Sequence, residues 1–252
     1  SHKLTQLEVL TLMHPVKHDG TPVVLPPNLH TLNLDLFVTR AQDWSCKYVF
    51  PPHLRNLKLY LDSESRIPID VFFEPLLGLT YLTKFIVTTT LLDQPKSTFP
   101  TLNWPNLTHL GLQLSTVQMA HRILASIPTT QWRHLALTID DKDPGRPGLF
   151  DGLEDADWRN LEHLELDFFD FGVHANMLKH FNGLVTFVIH NVPKRAKPWP
   201  QILDVLTPQT HPNLLSLGVY QHEVSWEQVE VPYDKVEMLL NWPNLLHFPG
   251  SS

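Results

Sequence analysis

The 252-residue chain has a single cysteine, Cys46, so no disulfide can close within it. Secreted domains are commonly held by cystines, and their absence here points to a reducing compartment: the cytoplasm, with the nucleus as the alternative. No apolar run reaches the roughly 18 residues needed to cross a bilayer, so no membrane span is expected. The N-terminus carries neither a signal-peptide pattern nor an initiator Met. Positive charge is scarce as well: 19 Lys and Arg against 26 Asp and Glu give a net charge of −7. Binding to a phosphate backbone needs a basic face, and the composition supplies none, so nucleic acid is not expected as a partner. Catalytic patterns are missing too: there is no G-x-S-x-G, no glycine-rich phosphate loop and no H-E-x-x-H. The chain is therefore read as no enzyme, and no cofactor is expected.

What the sequence has in abundance is a short phrase of three apolar residues spaced L-x-x-L-x-L. It reads Leu7-Leu10-Leu12, Leu29-Leu32-Leu34, Leu54-Leu57-Leu59, Leu82-Phe85-Val87 and Leu107-Leu110-Leu112. It continues as Trp132-Leu135-Leu137, Leu161-Leu164-Leu166, Leu184-Phe187-Ile189 and Leu214-Leu217-Val219, with a truncated echo at Leu245-Phe248. First positions run from 7 to 245 in nine steps, a mean of (245 − 7)/9, or about 26, inside the range of roughly 20–29 for such a repeat. Nine phrases in order, closing on the same spacing, are beyond coincidence in a chain that is 42% hydrophobic. Many of the 22 prolines sit just ahead of a phrase, as in Pro26-Pro27, Pro51-Pro52, Pro105, Pro212 and Pro243, where a residue without an N–H belongs in a turn.

Each phrase predicts one short strand paired in parallel with its neighbours, its apolar residues pointing inward because strand side chains alternate. The returns between strands are expected to differ. Val117, Ala120, Leu124 and Ile127 have helical spacing behind a Ser115 or Thr116 cap and ahead of Pro128. Similar patterns run through Val173, Met177, Leu178 and Phe181, through Ile202, Val205 and Leu206 after Pro200, and through Val236, Leu239 and Leu240. A shorter helix is predicted around Val71, Phe72 and Leu76, while residues 13–28 and 37–52 cross in extended or single-turn form. The stretch from Asp140 to Asp157, with Pro144, Gly145, Pro147 and Gly148, reads as an excursion from the wall.

This pattern resembles the leucine-rich-repeat superfamily over essentially the whole chain. It is most similar to the irregular intracellular repeats found behind an F-box. The resemblance implies an α/β solenoid, a curved horseshoe of about 9–10 repeats. Its parallel β-sheet lines the concave face, with helices and irregular returns on the convex face. Residues 1–252 are then a single leucine-rich-repeat domain, read as a fragment lacking its N-terminal cap or flanking domain because the first phrase starts almost at once. The chain departs from the common motif at the asparagine expected three residues after the third apolar position: those sites hold Pro15, Phe37, Asp62, Thr90, Ser115, Asp140, Phe169, Val192 and His222.

The implied role is that of a non-enzymatic protein–protein interaction domain or scaffold. It would bind a protein or peptide on the concave face, with substrate recognition in an F-box-type ubiquitin ligase as the setting. The outward positions that face such a ligand include Asn33, Asp35, Lys58, Tyr60, Thr88, Gln113, Thr138, Glu165, Asp167, His190 and Tyr220. This polar and aromatic mixture suits protein recognition. Glycan or small-ligand recognition on the same face is the alternative.

A third class, a His-based metal site, arises from His109, His134 and His163, which share one register in three successive phrases. A straight row spaced by about 4.8 Å does not converge as zinc at roughly 2 Å from its ligands demands, so a surface ladder is the better reading and no metal is expected. The acidic residues between Asp140 and Asp157 lack calcium-loop spacing and read as a solvated loop or a docking patch for a basic partner. Residues 101–170 hold 5 basic and 11 acidic residues, −6 of the net −7. Lys194, Arg195 and Lys197 are too short a cluster to argue nuclear import. The glycosylation triplet at Asn106 reads as coincidence, its middle residue being a core leucine. Trp104, Trp132, Trp158, Trp199 and Trp242 fall at phrase entrances or the starts of returns, where they seal the core edge.

Overall fold

In a computed structural model the strands form where the leucine phrases lie. The structure describes residues 6–13, 23–38, 44, 48–63, 67–89, 91–92, 99–128, 131–139, 150, 153, 157–167, 175–192, 198–221 and 239–247. The strands are β1 (Val9–Met13), β2 (Val23–Val24), β3 (Thr31–Val38), β4 (Tyr48–Val49), β5 (Asn56–Ser63), β6 (Ile67–Pro68) and β7 (Lys84–Thr89). They continue as β8 (Leu91–Leu92), β9 (His109–Leu114), β10 (His134–Ile139), β11 (His163–Leu166), β12 (Thr186–Val192) and β13 (Ser216–Gln221). Nine of them build one sheet in the order β1-β3-β5-β7-β9-β10-β11-β12-β13, and every adjacent pair is parallel. The chain thus has an α/β fold with a nine-stranded parallel sheet and few helices. Parallel pairing forces a crossover after each strand, and here each crossover delivers the chain to the next position in the sheet.

Register follows the phrases. The second apolar residue of each pairs with its counterpart, from Leu10↔Leu32 and Leu32↔Leu57 through Leu57↔Phe85, Phe85↔Leu110 and Leu110↔Leu135. The column continues as Leu135↔Leu164, Leu164↔Phe187 and Phe187↔Leu217. From Leu32 onward each member is at most 1% exposed, so each contributes on the order of 1.5–3 kcal/mol of burial free energy. At the edge strand β1 the alternation survives, but Leu10 and Leu12 are only half-buried. At the other end the truncated phrase joins through a single parallel bridge, Ser216↔His247.

A repeated turn sets each strand's entry. The N–H of the first leucine bonds to the carbonyl three residues earlier, as in Leu29 to Pro26, Leu54 to Pro51, Leu107 to Trp104, Leu161 to Trp158, Leu184 to Phe181 and Leu214 to His211. Most of these carbonyl residues are large and buried, and indole N–H groups tie them to neighbouring backbone. Trp104 Nε1 donates to Leu76 O at 3.3 Å, Trp158 Nε1 to Leu153 O at 3.0 Å and Trp242 Nε1 to His211 O at 3.0 Å. All five phrase-edge tryptophans are at most 4% exposed, in keeping with their expected role as core seals. His211 takes the same place in its turn, fully buried, its Nε2 donating to Leu178 O at 2.9 Å and its Nδ1 hydrogen-bonded with Thr210 Oγ1 at 2.8 Å.

The missing motif asparagine has a substitute one residue before the first leucine. Asn106 Nδ2 donates to Thr80 O at 3.1 Å and Asn244 Nδ2 to Pro212 O at 2.8 Å, each carbonyl belonging to the preceding turn. Asn106, the glycosylation candidate, is thereby engaged in the wall. Gly183 holds the equivalent position in its phrase, and there the turns approach so closely that an added Cβ would lie 2.2 Å from Arg159 O.

The returns match expectation in part. Thr116 Oγ1 caps the helix Val117–Ser126 by accepting from Met119 N at 3.2 Å, and Val117, Met119, Ala120, Ile123 and Leu124 are buried. A helix Ile69–Phe73 followed by a 3₁₀ turn Glu74–Leu76 fills the predicted place near Phe72. In the early returns the described residues include β2 and β4, which pair with each other, and β6 pairs with β8 in the two returns that follow. Ala175–His180 is a 3₁₀ helix where an α-helical return was expected, and Phe181 lies beyond it, its carbonyl accepting from Leu184 N in the next turn. The helix Pro198–Leu203 starts earlier than expected, because Pro198 and Pro200 suit a first turn whose N–H groups have no intrahelical partner. Leu240, assigned to a buried helix face, is 68% exposed. Cys46, Val173, Val236, Lys194, Arg195, Lys197 and the acidic residues from Asp140 to Asp155 lie outside the described residues. Asp157 is described, and paired hydrogen bonds from Arg159 hold its carboxyl down at about 2.

Gly183→Ala is expected to lower stability by roughly 1–3 kcal/mol, because backbone rather than a flexible side chain must yield. Gly78→Ala, which meets nothing within 4 Å, should leave the melting temperature close to wild type in the same thermal denaturation series. Equal melting temperatures for the two variants would refute the close turn contact.

Candidate binding face

Because the leucines occupy one side of each strand, the intervening residues share the other. Register strings them into rows that cross the sheet. The first row is Thr11, Asn33, Lys58, Ile86, Gly111, Ala136, Glu165, Val188 and Gly218. The second begins Met13, Asp35, Tyr60, Thr88, Gln113 and Thr138, with Asp167, His190 and Tyr220 at the corresponding phrase positions further on. All eleven residues expected to face a ligand therefore lie on this open side. Asp35, Lys58, Tyr60, Gln113 and Glu165 are exposed, and the other six are half-buried among their neighbours.

Hydrogen bonds tie neighbouring strands on this side. Asn33 Nδ2 donates to Thr11 Oγ1 at 3.3 Å, and Thr88 Oγ1 to Gln113 Oε1 at 3.2 Å. At the far end His190 Nε2 donates to Glu165 Oε1 at 3.1 Å, while its ring stacks on Tyr220 with centroids 5.2 Å apart. The small residue Gly218 permits this: a Cβ there would meet Tyr220 Cε2 at 2.9 Å. The sheet side is recessed toward its N-terminal end. One depression of about 340 Å³ is lined by Thr31, Asn33, Asn56, Leu57, Lys58, Lys84 and Ile86. A second, of about 240 Å³, runs past Thr11, Asp35, Lys58 and Tyr60.

A third outward row holds none of the residues expected to face a ligand, and its histidines are those of the metal alternative. It reads Val9, Thr31, Asn56, Lys84, His109, His134, His163, Thr186 and Ser216. Each precedes the second apolar residue of its phrase, a position that alternation places on the open side. The three histidines do form a ladder: His109 and His134 stack at 5.6 Å, and His134 and His163 sit 5.7 Å apart. Among the described residues no group of three or more His, Cys, Asp or Glu converges on a point that would hold a metal ion. The one hydroxyl proton of Thr108 goes to Thr83 O, so His109 Nδ1 donates to Thr108 Oγ1 at 2.8 Å.

Desolvation in the row depresses the affinity of both His109 and His134 for protons. Lys84 adds repulsion at His109, and the flanking imidazoles add it at His134. The folded chain thus favours the neutral ladder, whereas unfolded histidine titrates near about 6.5. When pH falls through that value the unfolded chain takes up protons first, so the contribution is complete above it and is lost on acidification. Buried His211 is depressed by desolvation and acts in the same sense. We expect the melting temperature to fall between about pH 7.5 and 5, with a smaller fall in His109→Gln/His134→Gln, in which His211 is retained. An unchanged fall in that double variant would remove the ladder as a cause.

No family model matches the chain, and no curated protein matches it. Among solved structures it is similar to a Bacteroides fragilis protein determined as a structural-genomics target. The likeness has a TM-score of 0.51 at 14% identity, over 90% of this chain and 67% of the other. That likeness is one of fold.

Proposed function

We propose that the chain is a leucine-rich-repeat solenoid acting as a non-enzymatic interaction domain, which binds a protein or peptide along the open side of its sheet. Substrate selection in an F-box-type ubiquitin ligase, in the cytoplasm or nucleus, is the setting that the resemblance favours. The observation that carries the reading is the separation of the two sheet sides. One is an uninterrupted column of buried Leu and Phe; the other is three rows, two of them mainly polar and aromatic and one mixing polar with small and aliphatic residues, with recesses at its N-terminal end. Solenoids of this design use the concave side as an extended docking surface. Aromatic residues such as Tyr60 and Tyr220, spread among hydrogen-bonding groups such as Gln113, match the composition of recognition surfaces. A glycan reading has less to draw on, because the five tryptophans at the phrase edges are sealed in the core.

The test is selection of peptides from a displayed random library on the purified chain. Tyr60→Ala, Gln113→Ala and Tyr220→Ala are each expected to weaken selected peptides by about fivefold or more without lowering the melting temperature by more than a degree or two. Lys179→Ala, an exposed position in a return, should leave affinity unchanged. Binding that tracks Lys179 rather than the sheet residues would contradict the proposal.

A further inference from the structure

We infer that the recess between β5 and β7 receives a carboxylate side chain of an acidic peptide, with Lys58 and Lys84 as its cationic walls. The inference rests on the open sheet side being the binding surface and adds the chemistry of what it selects. Lys58 and Lys84 lie on adjacent strands, Lys58 in register with Ile86 and Lys84 with Asn56, which makes them diagonal neighbours. Both lysines are exposed residues, and both line the larger recess. Among the described residues neither has a carboxylate within ion-pair distance. Across the sheet Glu165, an exposed carboxylate of the same side, is bonded to His190. The unmet charge of the two ends is therefore different, and at the recess it is positive.

Three further features fit a carboxylate. Thr31, Asn33 and Asn56 share the lining; Asn56 Nδ2 donates to Thr31 Oγ1 at 3.1 Å, and Asn33 Nδ2 is held from the neighbouring strand by Thr11 Oγ1 at 3.3 Å. Each amide nitrogen keeps a second N–H that can be directed at an acceptor. Ile86 supplies an apolar wall for the stem of an Asp or Glu. The acid that opposes this is Asp35, which flanks Lys58 in the smaller recess, leaving 2 − 1 = +1 over the pair of recesses. His109, in register with Lys84 on the other side, has its affinity for a proton lowered by desolvation and by Lys84, so it is disfavoured as a further cation. The chain's overall charge of −7 does not cancel the site, since exposed charges beyond about 8 Å are largely screened at physiological ionic strength.

The probe is a fluorescein-labelled octapeptide of glutamate, measured by anisotropy against the full chain, with octalysine and a phosphoserine-containing octapeptide as comparisons. Octaglutamate should bind in preference to octalysine, weaken as salt rises, and lose about three- to fivefold in Lys58→Ala or Lys84→Ala and tenfold or more in the double variant. Asp35→Asn should leave affinity unchanged or raise it. Preference for octalysine, or octaglutamate binding indifferent to both lysines, overturns the inference. A phosphoserine peptide bound about tenfold more tightly than its glutamate counterpart overturns the carboxylate as the source and assigns the recess to phosphopeptides. Should octaglutamate fail while display-selected peptides still depend on Tyr60 and Gln113, this inference falls alone. Should neither dependence appear, the binding-surface reading falls with it.

Discussion

The structure depends on the in-register stacking of one apolar column across parallel strands. From Leu32 to Leu217 the second residue of each phrase touches its counterpart one strand away and is shut off from water. Because side chains alternate along a strand, this fixes which residues must face outward. A slip of one residue between any two strands would carry leucines to the open side and polar groups to the core. Hydrophobic burial therefore specifies the register, and the register specifies the surface rows.

Polar chemistry at the phrase entrances supports that column. Backbone groups at each turn have to be satisfied where the chain dives from return to strand. The indoles of Trp104, Trp158 and Trp242 do so from within the core. The amides of Asn106 and Asn244 do so from outside, linking each turn to the one before it. Adjacent phrases are thus joined by leucine contacts and ladder hydrogen bonds, and at Trp104, Asn106, Trp242 and Asn244 by a turn tie as well. On the open side the same spacing brings like residues together. It produces the histidine ladder and the lysine pair, and it places Glu165 within reach of His190. Function is proposed to arise from this enforced adjacency, since residues about 25 positions apart in sequence become neighbours by construction.

Much of this was legible in the sequence because the repeat couples local pattern to global position. All nine phrases became strands of one parallel sheet, and all eleven outward residues landed on one side. The cap at Thr116 and the burial of the phrase-edge tryptophans were readable for the same reason. The misses fall where the repeat gives no instruction. A 3₁₀ rather than an α-helical return at Ala175–His180 depends on how much chain must cross between two fixed strands, which apolar spacing does not encode. Leu240 has helical spacing and faces solvent. Lys84, Asn56 and Thr31 lie outside the two outward positions that flank the third apolar residue of each phrase, because the position ahead of the second leucine is outward as well. His211 looked like any other histidine until its turn aligned with those of Trp104 and Trp158.

The stacked register is tested most directly by distances between spin labels on the open side. With one label at Thr11 and the second moved in turn to Ile86, Ala136 and Val188, the strand order places them three, five and seven steps apart. At about 4.8 Å per step the separations should climb through roughly 14, 24 and 34 Å, allowing for label length and sheet twist. A steady rise with strand number is the predicted result. Distances that fail to rise in sequence order, as strands folded back on one another would give, would contradict the column of leucines and every surface row derived from it.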